Sequence, residues 1–256
     1  MQEIVYHSNF QIESNYFWFL SRNAIVYNAF KKICNLNIEN NKNSNNLKQT
    51  NVLDIGCGTG GFASMLDQNG YNVHCLDTEP IALEYCKKRG LTNLYNCYIN
   101  ELKSKIDKNL VFDTAFALDV IEHIEDDKAA IKDIYDLLPQ NGYFVTTVPA
   151  YQWLWSEHDK IHMHYRRYTK NEYVELLKSQ GFHIKYDSYF NTLLFPAVVA
   201  KRFLDKLTNK KSTDPVDKVS ESMNKLLRNI FDKELSLIPN IKLPFGLSII
   251  VIAQKL

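Results

Sequence analysis

The sequence has no apolar run approaching the roughly 20 residues that a membrane-spanning helix requires. Its opening, MQEIVYHSNF, lacks both the basic and the apolar region of a secretory signal. There is no Cys-x-x-Cys pair, and the five cysteines, Cys34, Cys57, Cys75, Cys86 and Cys97, are odd in number and scattered. A disulfide framework or zinc knuckle is therefore not expected, and a reducing cytoplasm is. The chain reads as soluble, or at most resting on a membrane surface. An excess of either charge is also missing: 30 Lys and Arg oppose 29 Asp and Glu, for a net charge of +1. That balance argues against a protein whose main task is to neutralise phosphate backbones, although it leaves room for a local basic patch. No internal repeat is visible.

What is present is enough for a sizeable core: 256 residues at 45% hydrophobic composition suit a single domain over 1–256. Four zones separate. Residues 1–35 form an N-terminal cap, in which apolar and aromatic residues recur at helical spacing from Ile12 to Ile33 and predict one or two amphipathic helices. Asn35 to Asn51 is a polar, Asn-rich linker expected to form a mobile loop. Residues 51–149 alternate short β-branched runs, such as NVLDIG, YNVHCLD, LYNCYI, VFDTAFAL and GYFVTTVP, with helices of about ten residues. That alternation implies crossovers and a mainly parallel, doubly wound α/β sheet. Residues 150–256 form a substrate or lid region, with strands FHIKYDSYF and GLSIIVIAQK separated by a helical insertion. Those two strands could finish the sheet antiparallel.

The stretch VLDIGCGTGG, Val52 to Gly61, places glycines in the first strand-to-helix turn, where an open α/β sheet brings its backbone closest to a ligand. Gly56, Gly58 and Gly60 suit that approach, and the following helix presents free N–H groups to an anionic or carboxylate-bearing ligand. Asp77 closes the second strand about twenty residues on, where an acid accepts hydrogen bonds from ribose hydroxyls. A dinucleotide enzyme would also use that acid, but its fingerprint is G-x-G-x-x-G, whereas here Asp54 precedes G-x-G-x-G.

The order of Asp54, the glycines, Asp77, FDTAFALDVIEHI and LLPQNGYFVTTVP resembles the class I S-adenosylmethionine-dependent methyltransferases over about Val52 to Pro149. The resemblance implies their seven-stranded Rossmann-like fold with S-adenosylmethionine as cofactor. It gives Asp54, Gly56, Gly58 and Gly60 the methionine end, Asp77 the ribose hydroxyls, Thr78 a place near the adenine and Asn100 the adenine amine. Leu118 would supply backbone contacts beneath the sulfonium. A more distant similarity to quinone-biosynthesis O-methyltransferases implies that Arg22, in YFWFLSRN, meets the cofactor's carboxylate, for which a guanidinium fork is suited. Tyr16 is a weaker choice for that role. Alternatively, Phe17, Trp18 and Phe19 cover the sheet edge and Arg22 is solvated.

In LDVIEHIEDD, Asp119, Glu122 and His123 fall at i, i+3 and i+4, so a helical turn would bring all three to one face. His123 reads as a general base or as part of the pocket wall. The pattern also resembles metal-dependent small-RNA 2′-O-methyltransferases and some quinone O-methyltransferases, completed by a histidine after the fifth strand. That likeness implies a divalent metal ion held by Asp119, Glu122, His123 and His164. The region after the fifth strand, SEHDKIHMHYRRYT, offers His158, His162 and His164. Substrate-binding candidates there are His158, Asp159, His164, Arg166, Arg167 and Tyr168, with the two arginines suited to an anionic group. Apolar residues beside Lys201, Arg202 and Lys206 suit either a lid helix or a peripheral membrane contact through 192–207.

The resulting expectation is methyl transfer to a hydroxyl of a small or lipid-linked acceptor, with His123 or His164 removing the proton. An amine acceptor, a metal-dependent RNA 2′-O-methyltransferase, a dehydrogenase and a non-catalytic cofactor-binding or membrane adaptor are the rivals. The near-zero net charge disfavours nucleic acid as a partner.

Overall fold

A computed structural model describes residues 3–34, 50–207 and 219–256. Most of the Asn-rich linker and the polar stretch 208–218 lie outside the described residues. Helices α1 (Glu3–Ile12) and α2 (Phe17–Cys34) precede the sheet. The chain then alternates β1 (Asn51–Ile55), α3 (Gly61–Gln68), β2 (Asn72–Asp77), α4 (Pro80–Lys88), β3 (Asn93–Asn96), α5 (Leu102–Lys105), β4 (Thr114–Leu118), α6 (Asp127–Leu137) and β5 (Tyr143–Pro149). It continues through α7 (Glu157–Ile161), α8 (Lys170–Ser179), β6 (Phe182–Phe190), α9 (Phe195–Leu207), α10 (Glu221–Phe231) and β7 (Ser248–Lys255).

The seven strands form one sheet in the order β3-β2-β1-β4-β5-β7-β6. Strands β1 to β5 pair in parallel, and β7 runs antiparallel to both β5 and β6. This is the doubly wound, mainly parallel sheet expected from the alternating pattern, including its antiparallel finish. Both faces are covered, which is why β4 and most of β1 and β7 are buried throughout rather than alternating with solvent. Successive residues feed opposite cores: Val52, Phe116 and Ile250 pack with Phe30 of α2, whereas Leu53, Ala115 and Ile249 pack on the side of Ile131 and Tyr173.

Two differences from the sequence pattern matter for the site. Helix α1 begins at Glu3, within the helical cap expected over 1–35 but ahead of the Ile12–Ile33 pattern; Phe10 stacks on Tyr85 of α4 at 4.3 Å, which lays α1 across the carboxyl edge of the sheet. The third strand stops at Asn96 because the chain turns into a 3-10 helix at Ile99–Glu101, where Glu101 accepts the Tyr98 N–H.

The insertion between β6 and β7 is anchored to the cap. Trp18 stacks on Phe190 and Phe231, and Ser21 Oγ donates to Asp232 at 2.6 Å. Buried Glu234 accepts the N–H groups of Asn191, Thr192 and Leu193 at 2.7, 2.7 and 2.9 Å, turning the chain out of β6. No helix among the described residues is long and apolar enough to cross a membrane. The strand order reverses between β1 and β4, and in open α/β sheets the ligand crevice lies at such a switch point, beyond the carboxyl ends of the strands.

Candidate active site

Leaving β1, the loop turns through Gly58 and Gly60 at φ 54 and 81, a region that side chains other than glycine rarely adopt. Their surroundings differ. A Cβ on Gly60 would lie 2.8 Å from Cys86 Sγ, so that glycine allows the loop to sit against α4. A Cβ on Gly58 would meet no protein atom within 4 Å, so that position faces open space. Gly58 N donates to Asp77 Oδ2 at 2.9 Å and Glu79 N donates to Asp77 Oδ1 at 3.0 Å. Burial pushes the Asp77 carboxyl up to about 6, although those two N–H groups pull it down.

The loop is also held from outside. Glu13, between α1 and α2, accepts from Thr59 Oγ1 at 2.6 Å and pairs with Arg89, whose Nε donates to Thr59 O at 2.7 Å. No local pattern connects positions 13, 59 and 89, so sequence reasoning missed this clamp.

A cavity of about 830 Å³ opens at the switch point. Gly56, Gly58, Asp77, Thr78 and Asn100 line it together with Asp119, His123 and His164. Tyr6 and Asn9 of α1, Tyr98, Val120, Met163 and Tyr165 also line it and were not anticipated. Helices α9 and α10 contribute no lining residue, so among the described residues α1 covers the cavity rather than the insertion expected as a lid. Asp54 and Gly60 are not lining residues either. Asp54 is buried behind the loop, and burial raises its carboxyl to about 8 with Arg22 pulling the other way.

Arg22 and Leu118 meet each other. Arg22 is buried rather than solvated; its Nη1 donates to Asp119 Oδ2 at 3.1 Å and to the Leu118 carbonyl at 3.3 Å. Nη1 thus already has a carboxylate from its own chain, while Nε has no hydrogen-bond partner. The Leu118 carbonyl, part of the backbone expected beneath the sulfonium, accepts from the same Nη1. Asp119 adopts φ 57, and only Ile121–His123 form a 3-10 turn. That break removes the helical i, i+3, i+4 geometry. Asp119 turns to Arg22 and accepts from Thr147 Oγ1 at 3.0 Å, away from the proposed metal ligands.

The other three proposed ligands do converge. Glu122, His123 and His164 offer ligand atoms within 4.8 Å of one another. Both Glu122 carboxylate oxygens are buried without a hydrogen-bond partner, and burial, then the Asp119 charge, raises that carboxyl well above its usual range. His123 packs edge-on against His164 at 4.6 Å. Burial, then the neighbouring His164 and His162, lowers His123 to about 3, leaving it a neutral imidazole near neutral pH.

Of the substrate-binding candidates in the histidine-rich segment, only His164 reaches the cavity. Asp159 is fully buried and ion-paired with Arg167, at 2.6 Å to Nε and 3.1 Å to Nη2. It also meets His164 Nδ1 at 2.9 Å, while Arg167 Nη1 donates to Ala150 O at 3.2 Å. Burial raises the Asp159 carboxyl, but the hydrogen bond with His164 and the charge of Arg167 outweigh it and hold the group well below the usual range. Arg166 pairs with Asp127 at 2.7 Å, and Tyr168 donates to the same carboxylate at 2.8 Å. His158 faces His162, with ring centroids 4.1 Å apart. Asp159, held by Arg167, orients His164, while Arg166 and Tyr168 tie the segment to Asp127, so the polar groups of all four find partners within the chain.

With this geometry, a family model described as "Methyltransferase domain" matches residues 27–186. The chain belongs to that methyltransferase family. Ubiquinone biosynthesis O-methyltransferases are similar to part of it: that of Rickettsia conorii is 32% identical over 114 residues, covering 42% of this chain and 37% of that protein. The enzyme of Rickettsia canadensis is 33% identical over 103 residues, covering 38% of this chain and 42% of that one. The matches thus span about two fifths of those relatives' lengths. Among solved structures, a SAM-dependent methyltransferase from Archaeoglobus fulgidus aligns with TM-score 0.51 at 20% identity, over 81% of this chain and 87% of that one. Haemonchus contortus phosphoethanolamine N-methyltransferase 2, solved with S-adenosyl-L-methionine, aligns with TM-score 0.50 at 21% identity, over 90% of this chain and 56% of that one. The fold of this methyltransferase is accordingly that of the class I S-adenosylmethionine-dependent enzymes.

Proposed function

We propose that the protein transfers the methyl group of S-adenosylmethionine to a hydroxyl of a small or lipid-linked acceptor. The observation carrying this reading is one cavity lined by Gly58 and Asp77, with the imidazoles of His123 and His164 also in its wall. The open space at Gly58 and the Asp77 carboxylate fit the cofactor's nucleoside, with Thr78 and Asn100 at its adenine. The bound cofactor supplies a methyl group on a sulfonium, which leaves as a neutral thioether. His164, whose Nδ1 is held by Asp159, takes the acceptor's proton as the acceptor oxygen bonds to the methyl carbon, and His123 flanks it. Catalysis then rests chiefly on holding the oxygen in line. The name of the Rickettsia relatives, O-methyltransferases, supports oxygen as the accepting atom. Exposed Leu193, Phe203 and Leu204 near Lys201 support a peripheral membrane contact through 192–207 and hence a lipid-linked acceptor.

A second reading adds a divalent ion. The convergence of Glu122, His123 and His164, and the unpartnered oxygens of Glu122, favour it. An ion held there would lower the pKa of the acceptor hydroxyl. The test is calorimetric titration with S-adenosylmethionine, followed by assays with hydroxyl- and amine-bearing acceptors before and after chelation. Saturable binding and hydroxyl methylation are expected, and His164→Ala should lower kcat about a hundredfold or more while leaving cofactor affinity within a few-fold. Absence of cofactor binding would sink the proposal; activity untouched by chelation of metal-free protein would remove the ion alone.

Cofactor affinity should also depend on pH. Only ionised Asp77 accepts from both ribose hydroxyls, and its carboxyl sits at about 6 in the free protein. Protonation removes that acceptor, so affinity is held above this pH and weakens about tenfold per unit below it. Titrations between about pH 5 and 8 measure this, and a flat profile would exclude Asp77 from the ribose site.

A further inference from the structure

Three of the five cysteines meet behind the glycine loop. Cys57 lies in the loop itself, Cys75 in β2 and Cys86 in α4, and all three are buried with free thiols. Their sulfurs lie within 4.8 Å of one another, and Cys57 Sγ is 3.6 Å from Cys86 Sγ. Cys86 Sγ is also 3.5 Å from the Gly58 carbonyl. Nothing in the methyl-transfer reading uses these thiols.

We propose that Cys57, Cys75 and Cys86 form a closed three-thiolate site for one thiophilic metal ion, clamping the glycine loop to β2 and α4. Three sulfurs around an ion at about 2.3 Å stand roughly 4 Å apart in a trigonal plane, close to the 3.6 Å between Cys57 and Cys86 and inside the 4.8 Å that bounds all three. Soft sulfur donors select ions such as Zn²⁺, Cd²⁺ or Cu⁺ over the harder ions that suit Glu122 and the histidines. The three sulfurs come from elements held by the sheet and its first crossovers, so the site is preformed by the fold. Binding forms three metal–sulfur bonds and releases the thiol protons to solvent, with no change of oxidation state. None of the three cysteines lines the cavity.

Cd²⁺ is the probe. The reduced, metal-free full chain should take up one equivalent, develop a thiolate-to-cadmium charge-transfer band, release protons and unfold at a higher temperature. X-ray absorption of the loaded protein should show three sulfur neighbours. Cys75→Ser should abolish the band, whereas Cys34→Ser and Cys97→Ser, which change the two cysteines outside the cluster, should leave it intact. No band at stoichiometric Cd²⁺ overturns the proposal, as does a coordination shell of oxygen and nitrogen, which would point to Glu122 and the histidines. The absorption measurement uses the unaltered protein, so it decides the matter even if Cys75→Ser does not fold.

Discussion

Asp159→Ala is expected to destabilise the fold by about 3–5 kcal/mol, the usual cost of removing one partner of a buried ion pair. The reason is specific to this site. Asp159 is fully buried, and its loss leaves the Arg167 guanidinium in the interior with only the Ala150 carbonyl and releases His164 Nδ1. Thermal unfolding should show a midpoint roughly 10 °C lower for a chain of this size. Arg166→Ala supplies the contrast: that side chain is 29% exposed in its pair with Asp127, so about 1 kcal/mol or less is expected. A double Asp159→Leu, Arg167→Met variant should recover much of the loss, because no unpaired charge remains buried. The pH dependence has a definite sign. The Asp159 carboxyl is depressed in the fold, so its contribution is present above the ordinary carboxylate range and is lost only as pH falls through the lowered folded value. Equal, small effects for Asp159→Ala and Arg166→Ala would show that the pair does not hold the segment.

Asp77→Ala is expected to weaken S-adenosylmethionine binding by about a hundredfold or more, near 3 kcal/mol for two hydrogen bonds to a charged group. Asp77 also accepts from Gly58 N and Glu79 N, so its removal disturbs the loop as well as the ribose site. Gly58→Val separates those effects. Its side chain would enter open space rather than strike protein, blocking a ligand while leaving the Asp77 carboxylate in place. Backbone strain at φ 54 would add about 1–2 kcal/mol of destabilisation. Calorimetry on both variants, with circular dichroism to confirm folding, gives the readout. Wild-type affinity in folded Gly58→Val would mean that the cofactor does not lie over this loop.

The strands and helices of the central region were legible because their determinants are local. NVLDIG and YNVHCLD are β-branched runs ending at turn residues, and Pro80 stands at the first turn of α4, where its missing N–H is tolerated. The cofactor-side residues were legible for the same reason: Asp77 stands where β2 ends, and a parallel neighbour in register brings that end beside the β1 loop. The bounds and packing of helix α1 were hidden because MQEIVYHSNF has no clear apolar face, and its cover over the cavity depends on Tyr85, more than seventy residues away. The Glu13–Arg89 clamp was hidden by the same distance in sequence.

LDVIEHI and HDKIHMHYRRY divide along a different line. The sequence by itself determined that acids, imidazoles and guanidiniums would gather at the carboxyl edge of the sheet, because both segments follow parallel strands. Only the tertiary structure decided which of them neutralise one another. Arg22 takes Asp119, Arg167 takes Asp159 and Arg166 takes Asp127, leaving His123 and His164 toward the cavity. Residue type sets what a charge can bind, but pairing depends on which opposite charge the fold brings within reach. A buried charge without a partner is costly, and Glu122, whose oxygens have none, is pushed by burial toward its neutral form.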